Sequence, residues 1–125
     1  MKGKKRHIAI KLYWLYIIRE VGQGHALVCR CVWLDGSLLK ACQVLRARLG
    51  PLGVKVICRS GLPDRAIDAM AARAGCAVAT SDEHIVRAVM EACWAKIPQW
   101  YAEKKSARDL ATHILKQLHK QCWGR

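Results

Sequence analysis

Three aspartates follow the predicted strands of this sequence, at the point where each strand ends. Asp35 closes "ALVCRCVWLD" (26–35), Asp64 comes after "VKVICRS" (54–60), and Asp82 follows "CAVAT" (76–80). Carboxylates held close together repel one another and raise one another's pKa unless a cation neutralises them. Oxygen ligands without His or Cys favour a hard ion, so these residues predict a site for Mg²⁺ or Mn²⁺.

Further acidic residues lie near these three in the sequence. Glu83 directly follows the third aspartate and is a fourth candidate metal ligand. Asp68 lies one helical turn beyond the second aspartate on a similar face and is a candidate supporting residue. A divalent ion at such a site activates a water and stabilises charge on a scissile phosphate. The predicted chemistry is therefore metal-assisted hydrolysis of a phosphodiester.

Each aspartate also has a purely structural interpretation. Asp64 follows a proline and is suited to cap a helix. Asp82 and Glu83 are suited to the start of a helix, where the helix dipole favours negative charge. Asp35 precedes a glycine and is suited to a turn. The metal-site hypothesis explains all three positions together, in a chain with only 9 Asp and Glu.

The chain is strongly basic, with 22 Lys and Arg and a formal net charge of +13. The basic residues concentrate near the two ends, and a solvated face is one interpretation of each group. A polyanionic partner is the other, because neutralising phosphates releases their counterions. Nucleic acid is the first choice, and Lys104, Lys105 and Arg108 are the candidate contact residues. Trp94, Trp100, Tyr101 and Trp123 lie in the same region, where they either stack on bases or pack in the core.

Strands alternate with helices along the chain. Helical periodicity predicts helices over 36–50, 64–75, about 83 or 84 to 96, and about 102–121. Such βαβ units form a parallel sheet covered on both faces, so the predicted fold class is α/β, a short parallel sheet flanked by helices in three layers. We expect one domain over 1–125, with an apolar and basic N-terminal extension (1–25) and a basic C-terminal helix (98–125).

The chain has seven cysteines, which is an odd number, and no CxxC pair. Most lie among apolar residues, where free cysteine behaves as a small buried hydrophobe. We therefore expect core thiols and no zinc site. The absence of Asn is typical of heat-loving organisms, in which intracellular disulfides also occur.

The segment "MKGKKRHIAIKLYWLYII" at the N-terminus has a basic start and an apolar stretch. Lys11 interrupts that stretch, which is too short to span a bilayer. We therefore expect no membrane contact and a cytoplasmic protein. A core element is one interpretation of this segment, and a surface for a homodimer or another protein partner is the alternative.

The stretch "LPDRAIDAMAARAGCAVATSDEHI" (62–85) resembles the closing motif of PIN-domain nucleases, in which an Asp begins a helix and a short strand ends in Thr-x-Asp. "VWLDGSLL" (32–39) is similar to the opening strand of that family and its first metal-binding Asp. The resemblance covers about residues 26 to 90. No acid lies between Asp35 and Asp64, where many members have a Glu, so the chain is closer to the short PIN-like variants.

The resemblance implies a Rossmann-like fold and a Mg²⁺- or Mn²⁺-dependent endoribonuclease of the kind found as toxins in toxin–antitoxin pairs. Asp35, Asp64 and Asp82 would be the catalytic metal ligands, and Thr80 or Ser81 would support the site. The substrate would be RNA, and an antitoxin would be a partner. Two alternatives stay open. One is a non-catalytic nucleic-acid-binding module with a degenerate PIN-like site, and the other is an interaction protein that docks through its N-terminus.

Overall fold

The computed structural model describes residues 31–123, which form four strands and four α-helices. The strands are β1 (Cys31–Leu34), β2 (Lys55–Cys58), β3 (Cys76–Thr80) and β4 (Cys93–Lys96). The helices are α1 (Cys42–Leu49), α2 (Asp64–Ala74), α3 (Gln99–Lys104) and α4 (Ala107–Leu118). Short 3₁₀ helices cover Gly36–Ala41, Gly50–Leu52 and Arg87–Val89, and a π-helical turn, His119–Trp123, follows α4.

The four strands form one parallel sheet in the order β2-β1-β3-β4. Val32 of the central strand β1 pairs with Val56 on one side and with Ala77 on the other. Every residue of β1 and β3 is buried. Strands buried on both faces read as continuous apolar runs in the sequence, and this is why both were recognisable.

The sheet separates two apolar cores. On one face Val32 and Leu34 pack with α1 and α4, and on the other face Trp33 packs with Ile67 and Ala71 of α2. Successive strand residues point to opposite faces, so one strand supplies both cores. The α/β fold class, with a parallel sheet between helical layers, is confirmed.

The predicted helix from residue 83 or 84 to 96 is wrong. Residues 83–92 form a loop with one 3₁₀ turn, and the apolar residues after it form β4, parallel to β3. Val86 and Val89 are exposed, so the loop has no continuous apolar face to bury. Trp94 and Ala95 are adjacent and both fully buried, as in a strand covered on both sides.

The C-terminal helix predicted over 98–125 is divided. The chain leaves α3 after Lys104, and α4 begins after Ser106, whose hydroxyl accepts a hydrogen bond from the Asp109 N–H at 3.2 Å. This cap satisfies a backbone donor that has no partner within the helix. Ser106 therefore starts a new helix where the periodicity predicts a continuous one.

The expectation of free core cysteines is also wrong for the described residues. Three disulfides join Cys31 to Cys76, Cys42 to Cys58, and Cys93 to Cys122. The partners are separated by 45, 16 and 29 residues in sequence and come together only in the folded sheet. Cys31, Cys42 and Cys76 are buried as expected, whereas Cys58, Cys93 and Cys122 are half-buried. The pairing could not be predicted, because it depends on strand order.

The N-terminal extension (1–25), with the apolar segment that it carries, lies outside the described residues. Within residues 31–123, none of the helices has the length and apolar character needed to traverse a bilayer.

Candidate functional site at the carboxyl edge of the sheet

The carboxyl ends of β1 and β3 lie side by side at the centre of the sheet. The chain passes from β1 to β2 on one side and then to β3 on the other, so the strand order reverses between β1 and β3. Ligands of open parallel sheets bind at such a reversal, beyond the carboxyl ends of the strands. Asp35 directly follows β1, and Asp82 lies just beyond the end of β3.

Asp35 is fixed to the neighbouring strand by two hydrogen bonds. Its backbone N–H donates to the Ala79 carbonyl at 3.1 Å, and its Oδ2 accepts from the Thr80 hydroxyl at 3.2 Å. Burial raises the pKa of Asp35, although the Thr80 hydroxyl counteracts part of this shift. The charge of Asp82 raises the pKa further. A nearby cation would therefore stabilise the ionised form of Asp35.

Thr80 also positions Asp82. Its buried hydroxyl accepts a hydrogen bond from the Asp82 N–H at 3.1 Å, and Asp82 Oδ1 accepts from the His84 N–H at 2.9 Å. A single side chain thus links the two carboxylates that end the central strands. The alternative interpretation of Asp82 as a helix start is wrong, because the residues after it form a loop.

Asp64 joins this pair from the neighbouring strand connection. It is the first residue of α2, and the cap position belongs to Pro63, so Asp64 is not the helix cap. Burial raises the pKa of Asp64, and the charges of Asp35 and Asp82 raise it further. A hydrogen bond between the Asp64 and Asp82 side chains acts in the same direction. The three strand-end aspartates therefore influence one another electrostatically at one edge of the sheet.

The three carboxylates are neighbours without forming a finished coordination shell. Among residues 31–123, no three His, Cys, Asp or Glu side chains are arranged to hold a metal ion as they stand. Mutual repulsion between the carboxylates opposes their closer approach when no cation is bound. The donor set consists of carboxylate oxygens, which suit Mg²⁺ or Mn²⁺ and not a soft metal.

Asp68, a predicted supporting residue, has a different environment. Its buried carboxylate accepts hydrogen bonds from the Glu91 N–H and the Ala92 N–H, both at 2.9 Å, and from the indole N–H of Trp94 at 2.8 Å. Burial by itself would raise the pKa of Asp68, but these three donors lower it. Asp68 therefore joins α2 to β4 and the preceding loop instead of adding charge to the strand-end aspartates.

Glu83 and Ser81 lie in the loop after β3 and have different environments. The Glu83 side chain is exposed, and its backbone carbonyl accepts a hydrogen bond from Lys96 Nζ at 3.3 Å. The buried Ser81 hydroxyl lies 2.6 Å from the Ser37 hydroxyl. Ser81 thus connects the loop after β3 to the 3₁₀ helix after β1. This contact joins the two backbone segments that carry Asp35 and Asp82.

Two residues that organise this edge were missed from the sequence. Ser37 follows Asp35 and Gly36 in a turn, so its hydroxyl was an available signal. Lys96 Nζ donates to the carbonyls of Glu83 and Ile85, the latter at 2.8 Å, and holds the loop that carries Asp82. This role of Lys96 could not be predicted, because the sequence pattern assigned the residues of β4 to a helix.

The candidate nucleic-acid contacts lie beside this edge. Lys104, Lys105 and Arg108 are exposed around the junction of α3 and α4. Lys40 Nζ, from the 3₁₀ helix that follows Asp35, donates to the Glu103 carbonyl of α3 at 3.4 Å. The basic end of α3 is therefore adjacent to the 3₁₀ helix that follows Asp35.

Comparison of the chain with models of known protein families, with curated proteins and with solved structures finds no match. Membership of the PIN-domain family therefore stays a prediction that rests on the residues quoted above.

Proposed function

We propose that this protein is a divalent-metal-dependent endoribonuclease that hydrolyses phosphodiester bonds at the carboxyl edge of the sheet. The observation that carries the proposal is the electrostatic coupling of Asp35, Asp64 and Asp82, which come from three separate strand connections. Carboxylates held close together at a strand-order reversal repel one another and are a costly arrangement. A functional requirement for a cation explains why the fold retains it.

In this proposal Asp35, Asp64 and Asp82 would hold Mg²⁺ or Mn²⁺. When bound, such an ion supplies positive charge at the scissile phosphate and lowers the pKa of a water molecule. Thr80 orients Asp35 through its hydroxyl and the Asp82 backbone through the same oxygen.

The net charge of +13 supports a polyanionic substrate. Lys104, Lys105 and Arg108 would contact phosphates along a strand that crosses the carboxyl edge. Single-stranded RNA is the proposed substrate. This assignment follows the resemblance of residues 26 to 90 to PIN-domain nucleases. Such contacts would be electrostatic and independent of base sequence.

The second candidate function is a nucleic-acid-binding module without hydrolytic activity. Two observations favour it: the described residues contain no formed three-ligand cluster, and no acid lies between Asp35 and Asp64. Such a module would bind RNA or DNA in a salt-sensitive manner. Its binding would be indifferent to added metal and to substitution of Asp35.

Asp82→Asn tests the proposal, since it removes one ligand charge and keeps the side-chain shape. We expect cleavage of single-stranded RNA in Mg²⁺ or Mn²⁺ to fall by at least about 100-fold, because even substitutions of the partners of metal ligands cost 10–100-fold. Asp109→Asn is the matched control, an exposed aspartate on α4, and should cleave like the wild type. Cleavage that survives Asp82→Asn would refute the nuclease and leave the binding module.

The biological setting is also a proposal. A toxin role with an antitoxin partner follows only from the family resemblance, and a homodimer is the alternative assembly. The cytoplasmic location expected from the sequence receives no support from the three disulfides, because such bonds are rare in the cytosol outside hyperthermophiles.

A further inference from the structure

The aromatic residues of the C-terminal region have very different environments. Trp94 is fully buried, and Tyr101 and Trp123 are half-buried against the core of α1 and α4. Trp100 is 58% exposed. A tryptophan with this exposed fraction is unusual for a core residue and typical of a binding surface.

Trp100 lies at the same edge of the sheet as the aspartates. The Ile97 N–H donates to the Thr80 carbonyl at 2.8 Å, directly beyond β4, and Thr80 in turn holds Asp35. Trp100 follows Ile97 by three residues, so their Cα atoms are separated by at most about 10 Å. The indole and the acidic cluster are therefore within the span of a short single strand.

The Trp100 ring packs against a second aromatic ring. It meets the ring of Tyr101 edge-on, with centroids 5.7 Å apart, and Tyr101 stacks on His113 of α4 at 4.1 Å. The Pro98 carbonyl accepts hydrogen bonds from the Tyr101 and Ala102 N–H groups, both at 3.1 Å, and fixes the start of α3. A ring held this way loses little conformational freedom when a ligand covers it.

Three lysines lie near the helix that carries this aromatic group. Lys105 Nζ lies 5.4 Å from the centre of the Tyr101 ring, Lys104 is exposed on the same short helix, and Lys40 reaches α3 from the 3₁₀ helix beside Asp35. An exposed aromatic face among cations is the combination that binds single-stranded nucleic acid. The base stacks on the ring while the cations contact the backbone.

We propose that Trp100 is a base-stacking subsite that binds an unpaired nucleobase next to the acidic cluster. As a positioning role for the substrate strand it rests on the proposed function, but binding at Trp100 requires neither metal nor hydrolysis. Stacking is tolerant of base identity, because every base has a π-face. The subsite would set which nucleotide lies beside the cluster without selecting a sequence.

The test measures binding of a fluorescent 12-nucleotide oligouridylate in EDTA, where metal-dependent cleavage does not occur. An abasic strand of the same length and charge is the comparison ligand. We expect Trp100→Leu, which keeps an apolar side chain without a π-face, to weaken oligouridylate binding by about 5- to 150-fold, the fold-change for one stacked base. Trp100→Phe should retain most of the affinity, and binding of the abasic strand should be unchanged.

Val89→Ala is the matched control, because Val89 is 74% exposed and lies on the loop before β4. It should bind oligouridylate like the wild type. Equal oligouridylate affinities for wild type and Trp100→Leu would overturn the stacking subsite, even in a protein whose cleavage depends on Asp82. Trp100-dependent binding by a protein that never cleaves RNA would support the subsite and refute only the nuclease.

Discussion

At the scale of single residues, Asp68 shows how much a buried carboxylate contributes to stability when it accepts several hydrogen bonds. Its three hydrogen bonds connect α2 to the loop before β4 and to the Trp94 indole. Hydrogen bonds to a charged group are worth about 1.5–3 kcal/mol each, and a donor left unsatisfied in the core is costly. Asp68 is therefore a stabilising residue of the fold.

Asp68→Ala should lower the free energy of unfolding by about 3 kcal/mol at pH 7. The pKa of Asp68 is lowered in the folded state, so the native protein binds fewer protons than the unfolded chain near pH 4. The stabilisation is complete above the unfolded pKa, about 3.9. It is lost as the pH falls through the folded value. Denaturant titrations of both proteins between pH 3 and pH 7 measure this difference.

Glu91→Ala is the control, because the Glu91 side chain is exposed and only its backbone N–H contacts Asp68. It should unfold like the wild type at every pH. A stability difference between wild type and Asp68→Ala that grows as the pH falls would contradict the assigned hydrogen bonds.

The sequence predicted the positions of Asp35, Asp64 and Asp82 because each follows a strand, and parallel strands end at one edge. It did not predict the environment of Asp68. Helical spacing relates Asp68 to Asp64 along α2, but the donors that occupy Asp68 belong to β4 and its preceding loop. The position of a residue within its own helix does not identify the element that packs against that residue.

At the scale of elements, the turn between β1 and the first 3₁₀ helix depends on one glycine. Gly36 has φ of +63°, a left-handed conformation that costs other residues about 1–2 kcal/mol. A Cβ there would lie 3.8 Å from the Ser81 hydroxyl oxygen, an ordinary contact. The cost of substitution therefore comes from the backbone, at the residue after Asp35.

Gly36→Ala should destabilise the protein by about 1–2 kcal/mol and lower cleavage, because the backbone that carries Asp35 must shift. Thermal unfolding and RNA cleavage measure the two effects. Gly50→Ala is the control, since Gly50 has an ordinary helical φ of −53° and open space around it. It should be neutral or stabilise by up to about 1 kcal/mol. Equal stability of the two variants would contradict the assigned turn.

Local sequence signals explain why β3 was predicted correctly and β4 was not. β3 follows Gly75, which has a left-handed φ and ends α2, so its start was marked in the sequence. β4 has four residues and no comparable signal before it. Short apolar runs do not distinguish a buried strand from a helix by periodicity.

At the scale of the whole molecule, the three disulfides close loops of increasing length, with partners 16, 29 and 45 residues apart. A loop of this size restricts the unfolded chain by about 3–4 kcal/mol in the chain-entropy model. The bonds cross-link α1 to β2, β4 to the π-helical turn, and β1 to β3. Together they connect all four strands to a partner element.

Reduction should lower the melting temperature markedly, and paired Cys→Ser variants should separate the three contributions. The Cys31–Cys76 pair should contribute most, because it closes the longest loop. A variant with all three pairs replaced is the control, and its melting should not respond to reductant. Thiol titration that finds these six cysteines free in the unreduced native protein would contradict the pairing.

The overall fold was predictable from the sequence because alternating strand and helix signals leave few arrangements for so short a chain. The strand order was not, since nothing local distinguishes β2-β1-β3-β4 from another parallel order. The disulfide pairing and the contact of Lys40 with the end of α3 both depend on that order. They required the three-dimensional structure.

Cys31 and Cys76 face each other at the amino ends of β1 and β3, the two strands from which Asp35 and Asp82 emerge at the opposite end. A covalent bond there prevents the central pair from slipping lengthwise, a movement that would turn every side chain to the wrong face. The separation of the two acids is thereby set by chemistry at the far side of the sheet. Oxidation of the newly made chain would thus be a maturation step for the carboxyl edge that carries both acids.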